Sequence, residues 1–111
     1  MIILKSNWFM ERLSKINGFS VIGICLFPFI IVSSKAQEYE INHERIHWCQ
    51  QLETLVIGFY IIYGLNYLYY RLKGKSHFVA YNCLFFEKEA YNNQANLGYL
   101  KMRKIFAWAR R

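Results

Sequence analysis

Residues 36–54 read AQEYEINHERIHWCQQLET and residues 55–73 read LVIGFYIIYGLNYLYYRLK, and together they decide how the chain is built. Neither stretch contains proline, glycine occurs only at 58 and 64, and apolar residues recur at helical spacing. This predicts one long helix from about Ala36 to Lys73. Gly74, just past the basic Arg71 and Lys73, is its stop signal. Asn42 offers a second starting point, as the cap of a separate motif helix with Lys35 to Ile41 as a loop. The two halves differ in character. The first is polar, whereas Leu55 to Tyr70 carries no charge, alternates aliphatic residues with tyrosine and is interrupted by Asn66. Residues 55–70 fall short of the roughly 20 residues of a spanning helix, and they read either as a core helix or as a membrane-associated segment. In the second case Arg71, Lys73 and Lys75 make a basic end turned towards the cytoplasm.

Upstream, Phe9, Leu13 and Ile16 lie at helical spacing and predict a short surface helix within residues 1–17, ending at Gly18. Residues 18–32, GFSVIGICLFPFIIV, are rich in β-branched and aromatic side chains and predict one or two strands, with Pro28 at an edge or bulge. The apolar run from Phe19 to Val32 has the length of a signal-peptide core, but its amphipathic flank and Pro28 do not suit one. Downstream of Gly74, His77 to Phe86 is a short apolar piece, and Glu87 begins a final helix that ends in the basic, aromatic residues 101–111.

The 111 residues suit one domain, and a hydrophobic fraction of 55% gives it apolar surface to spare. A net charge of +7 with 19% aromatics suits an anionic membrane face; nucleic acid ranks below it, because no recognition module is present. Cys25, Cys49 and Cys83 form no Cys-x-x-Cys pair and leave one thiol over from any disulfide, which points to reduced packing residues.

The chemistry resides in His43-Glu44-Arg45-Ile46-His47. Residues four apart on a helix sit about 40° apart around its axis, so His43 and His47 project from one face and can share a metal ion. Glu44 lies about 100° round from His43. There a carboxylate stands beside the metal and can take a proton from a water that the metal activates. Cys49 points away from that face, and Glu53 is too far along and round to join, while Gln50 and Thr54 stay on the metal side. A catalytic zinc site needs a third protein ligand and an open position, and the acids left for it are Glu87 and Glu89.

His43-Glu44-x-x-His47 followed by a glutamate on a later helix resembles the gluzincin metallopeptidases, whose third zinc ligand is that later glutamate. Glu87-Lys88-Glu89-Ala90-Tyr91 is similar to their Glu-x-x-Ala-Asp pattern except that tyrosine stands for aspartate. The resemblance implies Glu87 as third ligand with Glu89 in reserve. It also implies Zn2+ as cofactor, Glu44 as general base and a peptide or protein as substrate. The aspartate that would orient a histidine is missing, so that role is unfilled or moved elsewhere. Tyr91, Tyr81 and His77 are candidate oxyanion donors, and the Phe27 to Val32 strand is a candidate edge for pairing an extended substrate. Most of the chain is also similar to a family of short uncharacterised bacterial proteins that carry the same His-Glu-Arg-Ile-His stretch.

The expectation is thus an α+β, mainly α, minimal zincin-like domain over residues 1–111. It has a short N-terminal strand region, a long motif helix and a second helix bearing Glu87. The expected activity is that of a membrane-associated metallopeptidase or related hydrolase. The alternatives are a zinc-stabilised or membrane-anchored scaffold without turnover, and a regulatory membrane peptide whose motif is incidental.

Overall fold

The computed structural model describes residues 2–17 and 22–109, and the protein it shows is α+β and mainly helical. Strands β1 (Ile2–Lys5), β2 (Gly23–Leu26) and β3 (Phe29–Val32) form a sheet in the order β1-β3-β2, with α1 (Asn7–Asn17) between β1 and β2 in sequence. β3 pairs in parallel with β1 and antiparallel with β2. Strand alternation turns Ile30 and Val32 to one face, where both are fully buried with Cys25 against Ile41 and Trp48 of the motif helix. Each such aliphatic side chain contributes about 1.5–3 kcal/mol through burial.

Several expectations are corrected here. Ile2 to Lys5, read from sequence as part of the first helix region, form a strand. Pro28 sits in the Phe27-Pro28 turn between β2 and β3, through a cis peptide bond, rather than at an edge or bulge. The Gly18 helix stop and the start of the predicted strand lie outside the described residues. β3 is the central strand, so it presents no free edge to a substrate; the hairpin's open edge belongs to β2.

The predicted single helix is two: α2 (Glu38–Glu53) and α3 (Ile57–Leu72), with axes bent by 109°. Gln37, not Asn42, caps α2, and it shares a reciprocal capping box with Glu40. The break contains neither glycine nor proline. Instead Leu55 and Val56 adopt φ of +57° and +64°, and the Val56 N–H reaches back to the Gln51 carbonyl at 2.7 Å, a helix-ending bond. A straight continuation would carry Phe59 and Tyr63 away from the core. The bend returns them to it, with Val56 (φ +64°, ψ −61°) at the centre of a strained γ-turn closed by the Ile57 N–H on the Leu55 carbonyl at 2.7 Å. Among the described residues no helix is long and apolar enough to cross a membrane.

The rest of the chain closes over α2. Short helix α4 (His77–Cys83) is capped by Ser76, and α5 (Phe85–Asn93) buries Phe86, Glu87, Glu89 and Ala90. Asn66, the residue that interrupts the apolar run, accepts the Phe85 N–H at 2.9 Å and so ties α3 to the start of α5. The predicted final helix also breaks. α5 stops at Asn93, a turn follows, and α6 (Tyr99–Met102) and a 3-10 turn at Ala107–Ala109 complete the fold. The Asn42 amide stabilises that turn by donating to the carbonyls of Gln94 at 2.8 Å and Asn96 at 3.0 Å.

Leu55 tests the break directly, because in a continuous helix alanine is better than glycine by about 1 kcal/mol. At a left-handed position the order reverses. In chemical denaturation Leu55→Gly is therefore expected to be more stable than Leu55→Ala by about 1 kcal/mol; the opposite order would show that the helix runs on.

Candidate metal centre

α2 and α5 pack face to face, and the three predicted ligands meet where they touch. His47 Nε2 lies 3.1 Å from His43 Nε2 and 3.0 Å from Glu87 Oε1, and His43 Nε2 lies 3.1 Å from the same oxygen. All three side chains are buried. In a tetrahedral site with bonds of 2.0–2.1 Å, ligand atoms stand roughly 3.3 Å apart, so small rotations admit an ion.

The hydrogen-bond partners of the outer ring atoms make the fit chemical as well as geometric. His47 Nδ1 faces the Gln50 side-chain oxygen at 2.7 Å. That oxygen's identity is set by the amide nitrogen, which donates to the Phe86 carbonyl and to Glu89. His43 Nδ1 likewise faces the Gln94 side-chain oxygen at 2.8 Å. An amide oxygen only accepts, so both Nδ1 atoms carry the proton. Both Nε2 lone pairs are then aimed at each other and at a carboxylate oxygen. With both rings neutral, three acceptors converge, an arrangement that positive charge satisfies, either a proton on His47 Nε2 or a metal ion. Tyr63 completes it, donating to the other Glu87 oxygen at 2.9 Å and leaving Oε1 to face the histidines. A buried His-His-Glu group able to bind a metal ion is thus present.

The electrostatics show the same demand for positive charge, which a proton on His47 Nε2 meets in place of a metal ion. Burial disfavours the charged form of His47, but the Glu87 charge and hydrogen bond overcome this and push its pKa up to about 9. Burial acts to raise Glu87 as well, yet His47 and His43 hold it far below the usual carboxylate range. Glu44 stands outside the ligand group, on the wall of the same cavity, and burial raises its pKa despite the two nearby imidazoles. β2 crosses directly beside it at Gly23. A Cβ there would stand 3.2 Å from Glu44 Cγ and 3.0 Å from Val32 Cγ1, so the strand approaches this closely because it has no side chain at that point.

The cavity measures about 510 Å³ and is open on one side. Tyr91 and Tyr81 line it and are hydrogen-bonded to each other, and the Tyr91 ring meets His43 edge-on at 4.4 Å. His77, the other donor proposed from sequence, is elsewhere: its Nδ1 pairs with the Tyr67 hydroxyl at 2.8 Å.

Glu89 is not a reserve ligand. It accepts from Gln50, Tyr99 and Arg103, and Arg103 also grips Glu53 with two nitrogens at 2.7 and 2.8 Å. Cys49, set aside on helical geometry, faces this second cluster, which holds Gln50 from behind. Arg103 is thereby withdrawn from the basic C-terminal surface, and Trp108 packs its ring on Phe86 at 4.7 Å. Tyr63, Gln94, Asn42 and Gly23 are the site residues that sequence reasoning missed. Tyr63 carried only a faint signal, as one tyrosine in a tyrosine-rich helix, and the others carried none. Two glutamines, Gln50 and Gln94, face the outer ring nitrogens.

Comparison of the chain with protein-family models, with curated proteins and with solved structures gives no match.

Burial acts to raise Glu53, but hydrogen bonds from Arg103 and from the Phe106 N–H prevail and hold its carboxyl below the usual range. Its folded pKa therefore lies below its unfolded value of about 4.3. The resulting stability is present above that value and is lost as pH falls through the folded pKa. Thermal melts of chelator-treated protein should lose stability below about pH 4. Arg103→Met should remove that component and cost about 3–5 kcal/mol at neutral pH by leaving buried carboxylates unpaired.

Proposed function

We propose that the chain is a zinc-dependent peptidase of gluzincin type, in which His43, His47 and Glu87 hold the ion and Glu44 is the general base. The observation that carries this reading is the convergence of two Nε2 lone pairs and one carboxylate oxygen, each fixed from behind by Gln94, Gln50 and Tyr63. Two imidazoles and one carboxylate are the His2Glu set of catalytic zinc, a borderline ion that accepts both donor types. With the His47 proton displaced, two neutral imidazoles with the Glu87 and Glu44 carboxylates carry two negative charges, which a divalent cation balances. When bound, zinc supplies a Lewis acid for a carbonyl oxygen and makes a nearby water more acidic.

The remaining steps belong to the chain's own side chains. Glu44 receives the proton of the attacking water, and its burial, which raises the carboxyl pKa, lets it hold that proton and pass it to the leaving amine. Tyr91 and Tyr81 provide hydroxyl donors on the wall beside His43, where charge develops on the substrate carbonyl oxygen.

The open edge of β2 supports a peptide substrate. Ser33 N–H bonds to the Ile22 carbonyl, so by ladder alternation the backbone groups of Gly23 and Cys25 point away from β3. Gln51 takes up the Cys25 carbonyl and the Phe27 N–H on that side and clamps the hairpin to α2. The edge that remains, at Gly23 and the Cys25 N–H, runs along the cavity past Glu44, where an extended chain can add a short strand.

Elemental analysis of purified protein should find one equivalent of zinc, lost in His47→Ala and in Glu87→Gln. Gln94→Leu should weaken affinity about 10- to 100-fold through the freed His43 ring. A wild-type protein that takes up no metal would sink the assignment.

Glu44→Gln should keep its zinc and lose turnover of a peptide library by a factor on the order of 100 or more. If zinc is bound but neither protein cleaves peptides, the centre is structural and the chain is a scaffold.

A further inference from the structure

α3 has two faces with different tasks. At about 100° per residue, Phe59, Tyr63 and Asn66 share the inner face, where they meet Phe86, Glu87 and the start of α5. Ile57, Ile61, Leu65, Leu68 and Leu72 fall within an arc of about 80° on the opposite side. All five are between 51% and 79% exposed. Exposed apolar residues scattered singly are ordinary, but a continuous stripe along a whole 16-residue helix is not. Leu55, at the bend, extends it by one more exposed side chain.

The charge around the stripe points to its partner. Arg71, Lys73 and Lys75 are exposed at its C-terminal end, and residues 54–86 contain no aspartate or glutamate. A second copy of the chain laid on this stripe would find no acid to pair with those cations, whether the helices ran parallel or antiparallel. It would also bring together two chains of net charge +7. An anionic bilayer surface complements both features, taking the leucines and isoleucines at the acyl boundary and the cations at the headgroups. Tyrosines at the flanks, Tyr60 and Tyr69, are half-exposed with the amphipathic character suited to that depth.

We infer that the outer face of α3 docks on an anionic lipid bilayer, with the helix lying in the plane of the surface. The inner face is engaged by protein, and 16 residues span only about 24 Å, so the helix lies on the bilayer instead of crossing it. Phe59, Tyr60 and Tyr63 of the same helix line the metal cavity, which places that cavity within about one helix diameter, roughly 10 Å, of the headgroups. If the peptidase reading above holds, its substrates are peptides held at or beside the membrane surface. The docking itself does not rest on that reading.

The full chain should co-sediment with phosphatidylcholine vesicles that contain phosphatidylglycerol and bind pure phosphatidylcholine far less, with added salt weakening the difference. Lys73→Ala with Lys75→Ala should weaken binding to the anionic vesicles about 30-fold. Ile61→Ser with Leu65→Ser should abolish it, while far-UV circular dichroism and zinc stoichiometry, measured on the same samples, remain those of the wild type. Absence of vesicle binding overturns the inference, as does binding that the serine pair leaves intact. A dimer in sedimentation velocity that the serine pair dissociates, without vesicle binding, would assign the stripe to a second copy. The zinc measurement stands apart from all of these, so lipid docking and the metal centre can fail separately.

Discussion

Three acceptor atoms about 3 Å apart, His43 Nε2, His47 Nε2 and Glu87 Oε1, set the terms for the rest of the molecule. Acceptors repel, and burying a carboxylate costs several kcal/mol unless it is compensated. The fold supplies that compensation from four elements. Gln50 on α2 fixes one ring, Gln94 after α5 fixes the other, Tyr63 on α3 binds the second carboxylate oxygen, and Glu89 with Arg103 holds Gln50 in place. What remains is the space between the three atoms, which calls for positive charge, whether a proton on His47 Nε2 or the metal ion proposed above.

Such a site needs elements that arrive from different directions, and in so short a chain the bends carry that burden. The turn at Leu55 and Val56 brings Tyr63 to Glu87, and Asn66 then anchors the start of α5. The stop after Asn93 lets Gln94 reach back to His43, and Asn42, one residue before the motif, binds the carbonyls that this stop exposes. Both bends serve the cluster, so their backbone cost is balanced by contacts that a straight helix could not make.

The motif, the helical setting of both histidines and the exclusion of Cys49 and Glu53 were legible in the sequence, because each depends on spacing within one helix. Spacing left Glu87 and Glu89 both open, and the choice of Glu87 came from the resemblance to gluzincins. The breaks in the two predicted long helices were not legible, because Leu55-Val56 has no breaker residue and the reason to bend lies in Glu87, more than thirty positions away. The orienting glutamines were hidden for a related reason. A glutamine is an ordinary surface residue until the fold sets its oxygen against an imidazole, and only Gln50 shared a helix face with the ligands. Glu89 shows the opposite error: by type and position it matched Glu87, and only the approach of Arg103 from the far end of the chain separates their roles.

α3 links the two surfaces of the protein that are out of balance. Its inner face answers excess negative character at Glu87 with a tyrosine hydroxyl, while its outer face leaves apolar area uncovered and its C-terminal end carries Arg71 and Lys73 against tyrosines, with no ion pair to an acid among the described residues. A helix that served only as core would need just the first face, and its solvent side would carry ordinary polar residues. Here that side carries isoleucine or leucine at 57, 61, 65, 68 and 72, where polar residues would be compatible with folding and would raise solubility. Burial within this domain cannot account for those side chains, since the fold leaves them uncovered. The bilayer contact inferred above accounts for them, and the helix inferred to make it also holds the ligand cluster through Tyr63.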